Sequence, residues 1–186
     1  HFTEVASLLG IYASDWTWSP RLVDLNNDGH VDLHVTNGMI RSFHDGDLGA
    51  RGFRYSDDVM IERVFRPEPI MRERNLAFVN TADLKFEDRS AAWGLDKRSV
   101  SFGSAFGDLD RDGDLDLVLN NFADPLSVFR NNEKDHRRMT LRLVGDNSNR
   151  YGVGAKVTVT TDDHQQVKML FPNRGYMSGD QPILHF

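Results

Sequence analysis

Two short stretches place carboxylates and amides on alternate residues of a glycine-containing turn: Asp24-Leu-Asn26-Asn-Asp28-Gly-His30-Val-Asp32 and Asp108-Leu-Asp110-Arg-Asp112-Gly-Asp114-Leu-Asp116. Carboxylates packed this closely repel one another, so a folded turn must neutralise them or bind a cation between them. Positions 1, 3, 5 and 9 of each stretch carry side-chain oxygens, and glycine at position 6 permits a sharp bend. Alternate residues of a tight turn aim their oxygens inward, and six to eight oxygens are what a hard cation such as Ca2+ takes. The expected ligands are Asp24, Asn26, Asp28 and Asp32 in the first loop and Asp108, Asp110, Asp112 and Asp116 in the second. Position 7, His30 or Asp114, would supply its backbone carbonyl only. Two Ca2+ sites are expected, the second tighter because it offers one more carboxylate.

An EF-hand would need a bidentate Glu at position 12 and flanking helices. Position 12 is Val35 in one loop and Leu119 in the other, each inside an alternating run that reads as a strand. The elements that position the acids are therefore β-strands. They belong to an internal repeat: Phe2, Gly10, Ile11, Trp18, Asp24 and Asn37 align with Phe86, Gly94, Leu95, Phe102, Asp108 and Asn121 at a constant offset of 84. Period-two runs such as Val31–Val35 and Leu115–Leu119, bounded by Asn-Asp-Gly and Asp-Gly, are short strands joined by tight loops. Further strands are expected at 76–80 and 127–131, giving units of about four strands, the usual content of a propeller blade.

Residues 38–75 interrupt the repeat. Ser56-Asp57-Asp58 can cap a helix whose Met60, Ile61, Val64 and Phe65 share one face, stopped by Pro67 and Pro69. The segment reads as a long part-helical insertion, a packing lid or a binding surface. Its His44-Asp-Gly-Asp47 cluster is the most enzyme-like group of the chain. No Gly-x-Ser-x-Gly, His-Glu-x-x-His or Gly-Lys-Ser/Thr motif accompanies it. Trp16, Trp18 and Trp93 could stack on sugars, although Trp18 matches Phe102 in the repeat and reads as core.

An acidic loop with acid at position 9 between strands resembles FG-GAP/VCBS-type repeats, the calcium-loop blades of β-propellers. The last third resembles the ASPIC/UnbV family through Asn149, Gly152, Gly154, Ala155, Val157, the turn Gly175-Tyr176-Met177-Ser178 and Leu184-His185-Phe186. The resemblance implies an all-β chain: a partial propeller over 1–132, with about two blades and the 38–75 insertion, then a small β domain over 133–186. Because that family's ending usually continues further, truncation at the C-terminus is also expected.

The 186 residues can bury a core, and there is no cysteine, so neither a disulfide framework nor a thiolate metal site is available. The net charge of −6 lies in the first two-thirds of the chain, which argues against a nucleic-acid partner. No apolar run approaches the roughly 18 residues of a membrane span. The expectation is a secreted, periplasmic or cell-surface module, non-catalytic, whose partners are an extracellular protein, a glycan or further copies of itself. A catalytic or accessory part of a polysaccharide-acting enzyme, using the insertion, is the alternative.

Overall fold

The computed structural model describes all residues except 43–44, 53–55, 61–62, 64–68, 84 and 163–164. It is an all-β fold; among the described residues there are three short helices, the first α1 (Ala6–Leu9), and no closed barrel is formed. The first sheet is antiparallel, in the order β1 (Thr17–Val23), β2 (Asp32–Asn37), β4 (Leu76–Asn80), β5 (Phe86–Asp88). The second has the order β7 (Ser101–Gly107), β8 (Asp116–Asn121), β9 (Ser127–Phe129). Strands β7 and β8 begin and end 84 residues after β1 and β2, and both β1–β2 and β7–β8 carry a register shift at their outer ends. The repeat read in the sequence is thus a repeat of strands. The expected fourth strand is present in the first sheet; the second has three among the described residues.

Alternation decides what the sheets bury. Leu25, Ala77, Leu95, Phe106, Leu117 and Leu119 form one core, with Val23, Trp93, Leu115 and Phe129 packed on its margin. Burying such side chains is worth roughly 1.5–3 kcal/mol each, so this cluster is what holds the two sheets in one unit. Trp18 stands edge-on to Phe102 with ring centroids 4.8 Å apart and gives its indole N–H to the Gly38 carbonyl at 2.6 Å, as its repeat position suggested.

Between β2 and β4 the chain carries α2 (Gly46–Gly52) and α3 (Asp57–Met60), then β3 (Glu73–Arg74), which pairs with β6 (Arg98–Ser99). The helix expected after Ser56 begins at Asp57; its Ile61, Val64 and Phe65, and Pro67, lie outside the described residues. Helix α2 was not expected, because three glycines and an arginine obscure its period. It forms because Asp45 caps it, taking the amides of Asp47 at 2.9 Å and Leu48 at 3.1 Å. Asp45 of the enzyme-like cluster thus caps a helix, and His44 lies outside the described residues.

The C-terminal part contains β10 (Thr140–Leu141) paired with β13 (Leu184–His185), and a hairpin of β11 (Lys156–Thr160) and β12 (Gln165–Met169). Leu170, Leu184 and Phe186 form its core, covered by Leu141, Leu143, Val157 and Val159. Its segment 175–180 clasps both sheets. Gly175, at φ +75°, lies so close to β1 that a Cβ there would stand 2.3 Å from Ser19 Oγ and 2.8 Å from Arg21 Cδ. Tyr176 N–H donates to Ser19 Oγ, Ser178 Oγ accepts the Ser104 amide, and Asp180 accepts the Phe106 amide while pairing with the buried Arg21. Among the described residues, no helix is long and apolar enough to cross a membrane.

Candidate metal centre

The two acidic loops join β1 to β2 and β7 to β8, and most of their internal hydrogen bonds recur in both, the exceptions being Asn26 Nδ2 to Asp28 in the first and Asp112 N–H to Asp108 Oδ1 in the second. Leu25 N–H donates to Asp32 Oδ2 at 2.9 Å, and Leu109 N–H donates to Asp116 Oδ2 at 2.9 Å. Gly29 N–H reaches Asp24 Oδ2 at 3.0 Å, and Gly113 N–H reaches Asp108 Oδ2 at 3.1 Å. His30 N–H donates to Asp28, as Asp114 N–H does to Asp112; Asp28 N–H donates to Asn26, as Asp112 N–H does to Asp110. The backbone needs two left-handed residues to make this turn. These are Asn27 and Gly29 in one copy, at φ +56° and +87°, and Arg111 and Gly113 in the other, at +66° and +97°.

Each loop is also pinned from the next strand. Asn80 N–H donates to Asp32 Oδ1 at 2.8 Å and its side chain reaches Val31 O; Asn131 N–H donates to Asp116 Oδ1 at 2.8 Å and its side chain reaches Leu115 O. The position-9 aspartates therefore fix the turn to the sheet, a role that spacing alone did not reveal. The matching asparagines at the ends of "LAFVN" and "SVFRN" were the available signal.

Among the described residues, three of the expected ligands come together, all in the second loop. Asp108, Asp110 and Asp116 each bring a carboxylate oxygen within 4.8 Å of the others. In the first loop Asp24 is 6% exposed, and its Oδ1 is buried without a hydrogen-bond partner. Burial pushes the Asp24 carboxyl up from its ordinary value, against nearby Lys168; burial likewise raises Asp32, to about 6, against the two amides that it accepts. Buried carboxylates with an orphaned oxygen fit a bound cation, and the donor set is all oxygen, which suits Ca2+ rather than a metal that prefers nitrogen or sulfur. Asp24, Asn26, Asp28 and Asp32, and Asp108, Asp110, Asp112 and Asp116, are the side chains that would hold it, with the His30 and Asp114 carbonyls.

Four neighbours of the loops were not evident from the motif. Arg130 pairs with Asp110 at 2.7 Å and Asp112 at 3.5 Å, so one cation already balances the second loop. The Asp114 side chain, fully buried, turns away from its loop to pair with Arg138 and to accept Asn27 Nδ2 at 2.8 Å, tying the tip of the first loop to the second. His136 Nδ1 lies 2.9 Å from the Asn26 carbonyl. Lys168 gives its ammonium to the His185 carbonyl and stands over the Phe186 ring at 5.0 Å, near enough to Asp24 to be biased by it. The C-terminal part thus supplies counter-charges to both loops.

Residues 145–186 match the family described as ASPIC and UnbV. Over 202 residues the chain is 27% identical to Cartilage acidic protein 1 of Mus musculus, covering 89% of this chain and 30% of that protein. The chain therefore spans less than a third of the length of this curated relative.

Proposed function

We propose that the two acidic loops bind Ca2+, that residues 1–132 are FG-GAP/VCBS-type propeller blades, and that the ions serve to stiffen a non-catalytic extracellular binding module. The observation that carries this reading is the twofold hydrogen-bond scaffold, in which the same carboxylates recur in the same bonds and Asp24 keeps a buried, unpartnered oxygen. A solvated acidic turn has no need to bury such an oxygen, because leaving it unpaired costs about 1–3 kcal/mol. In this reading the chain's residues hold the turn and the ion supplies the missing positive charge.

The partner would be an extracellular protein or a glycan, met in a secreted, periplasmic or cell-surface setting where calcium is plentiful. The name of the relative, Cartilage acidic protein 1, is in keeping with a matrix setting. With free Ca2+ a hundredfold above the dissociation constant, each site would add about 2.7 kcal/mol to folding. The test is thermal unfolding with calcium and with a chelator, followed by retention on glycan- and matrix-protein-coated surfaces under both conditions. A melting curve that the chelator leaves in place overturns the calcium reading; retention indifferent to calcium overturns its link to binding.

A further inference from the structure

The two acidic loops are bonded to each other as well as to their sheets. Asn27, the left-handed residue between Asn26 and Asp28, gives its Nδ2 to Asp114 Oδ1 at 2.8 Å. Asp114 is fully buried at position 7 of the second loop, with its amide held by Asp112 Oδ1 at 3.1 Å. One residue thus carries both the carboxylate that reaches the first loop and the carbonyl expected on the second ion.

Asn131 makes another bridge. Its amide holds Asp116 Oδ1 at 2.8 Å, and its Nδ2 reaches Leu25 O, inside the first loop, at 2.8 Å. Its counterpart Asn80 holds Asp32 in the same way, but its Nδ2 donates to Val31 O of its own loop, and it bonds to no other loop among the described residues. The link between loops is therefore added to the repeat rather than part of it. The segment after Asn131 spans both turns. Asn131 Oδ1 accepts the Glu133 amide at 3.1 Å, and Glu133 O accepts Arg138 Nη1 at 2.8 Å. His136 Nδ1 lies 2.9 Å from Asn26 O in the first loop, while Arg138 pairs with Asp114 in the second and packs on Gly113, where a Cβ would stand 2.9 Å from its Cδ.

We propose that the two loops fill with Ca2+ under positive coupling, occupancy of either raising the affinity of the other about fivefold. This rests on the calcium reading above and adds the regulation of those sites. Asp114 and Asp116, once held on an ion, fix Asn27 and Asn131, and these in turn fix the backbone between Leu25 and Asp28. The first loop then fills with part of its ordering already done. The second loop, with more carboxylate, fills first, so the coupling is read in the first. Repulsion between the two ions opposes it. Salt screens that repulsion, over about 8 Å at 0.15 M, and reaches the buried Asn27–Asp114 bond far less, so coupling should hold as salt rises.

The test is a calcium titration of the 186-residue chain in about 0.15 M salt, read at the amide NMR signals of Gly29 and Gly113, one in each loop. The same spectra report whether each variant is folded. Asp110→Ala with Asp112→Ala, at two exposed positions, disables the second loop and should raise the calcium midpoint at Gly29 about fivefold, although every ligand of the first loop is intact. Asn27→Gly keeps the left-handed turn, removes the bridging amide and should raise that midpoint while the second loop still fills. In the combined variant the rise should fall short of the product of the two, because both remove the same coupling. Calcium shifts at neither glycine overturn the calcium reading and the proposal with it. Shifts at both, with a Gly29 midpoint indifferent to the second loop or a combined rise equal to the product, overturn the coupling and leave the calcium reading standing.

Discussion

Asp32 and Asp116, 84 residues apart, make the same two bonds: one oxygen takes the amide of the residue that follows the loop's first aspartate, the other takes the amide of an asparagine, Asn80 at the end of β4 or Asn131 two residues past β9. Both aspartates are buried. Replacing either by Asn turns an NH2 toward one of those amides and leaves a buried donor unpaired, a loss of about 1–3 kcal/mol even without metal. Urea unfolding of Asp32→Asn and Asp116→Asn in chelator should show comparable losses. A loss seen in one alone would mean that the two turns are not equivalent.

If the loops take calcium as proposed, charge count favours the second loop, but Arg130 competes there. It reaches both Asp110 and Asp112, whereas the matching position of the first sheet is Val79. Arg130→Gln should raise calcium affinity in the second loop several-fold and leave the first unchanged, while Asp112→Ala should weaken the second loop. Calorimetric titration with calcium separates these outcomes, and equal affinities in the parent chain would contradict the ranking.

Arg138 stabilises a fully buried carboxylate. Removing one partner of such a pair while the other stays buried costs about 3–5 kcal/mol, whereas replacing both by apolar groups is often close to neutral. Arg138→Met should therefore destabilise the chain by that order, and Asp114→Leu with Arg138→Met should recover most of the loss. A double-mutant cycle in chemical denaturation measures this directly.

His34 is fully buried in β2, its ring edge-on to Phe106 with centroids 5.8 Å apart, and neither nitrogen has a hydrogen-bond partner. Burial, helped by nearby Arg21, pushes its pKa down to about 3. Because the folded value lies below the unfolded one, the fold favours the neutral ring. The stability it contributes is present above pH 6.5 and is lost as pH falls toward 3. The loss attributable to His34 between pH 7.5 and pH 5 is about 2 kcal/mol. Asp32, raised to about 6, works in the opposite sense, since its contribution is lost as pH rises through 6. Comparison with His34→Leu cancels the Asp32 part: the variant's unfolding free energy should gain on the parent's by about that amount on acidification, and a constant difference would exclude the assignment.

The second strand of each pair and the loops were legible because each rests on local chemistry: alternation for β2 and β8, and glycine-containing acidic turns before them. The repeat offset of 84 recurs in the bounds of β1 and β7, where no alternating run had been read across the whole strand. What spacing could not show was the second partner of each group. Arg138 lies 24 residues from Asp114 and Lys168 lies far from Asp24 in the chain, and no local pattern marks a long-range counter-charge. Helix α2 was missed for a related reason, since its cap was read as part of a polar loop or an enzyme-like cluster. The three-stranded second sheet was equally out of reach, because Leu126–Asn131 carries the same strand signal whether or not a neighbour follows.

The clasp formed by residues 175–180 also bears on time. Arg21 and Asp180 are 159 positions apart, and Ser19 and Tyr176 are 157 apart, so the two inner strands are held by groups that a ribosome delivers long after them. Until Asp180 is made, β1 waits with Arg21 lacking its carboxylate, and contacts of such long sequence separation slow folding. The nascent chain is then exposed to mispairing until residues 175–180 emerge, which makes the clasp the step that commits the sheets to one another.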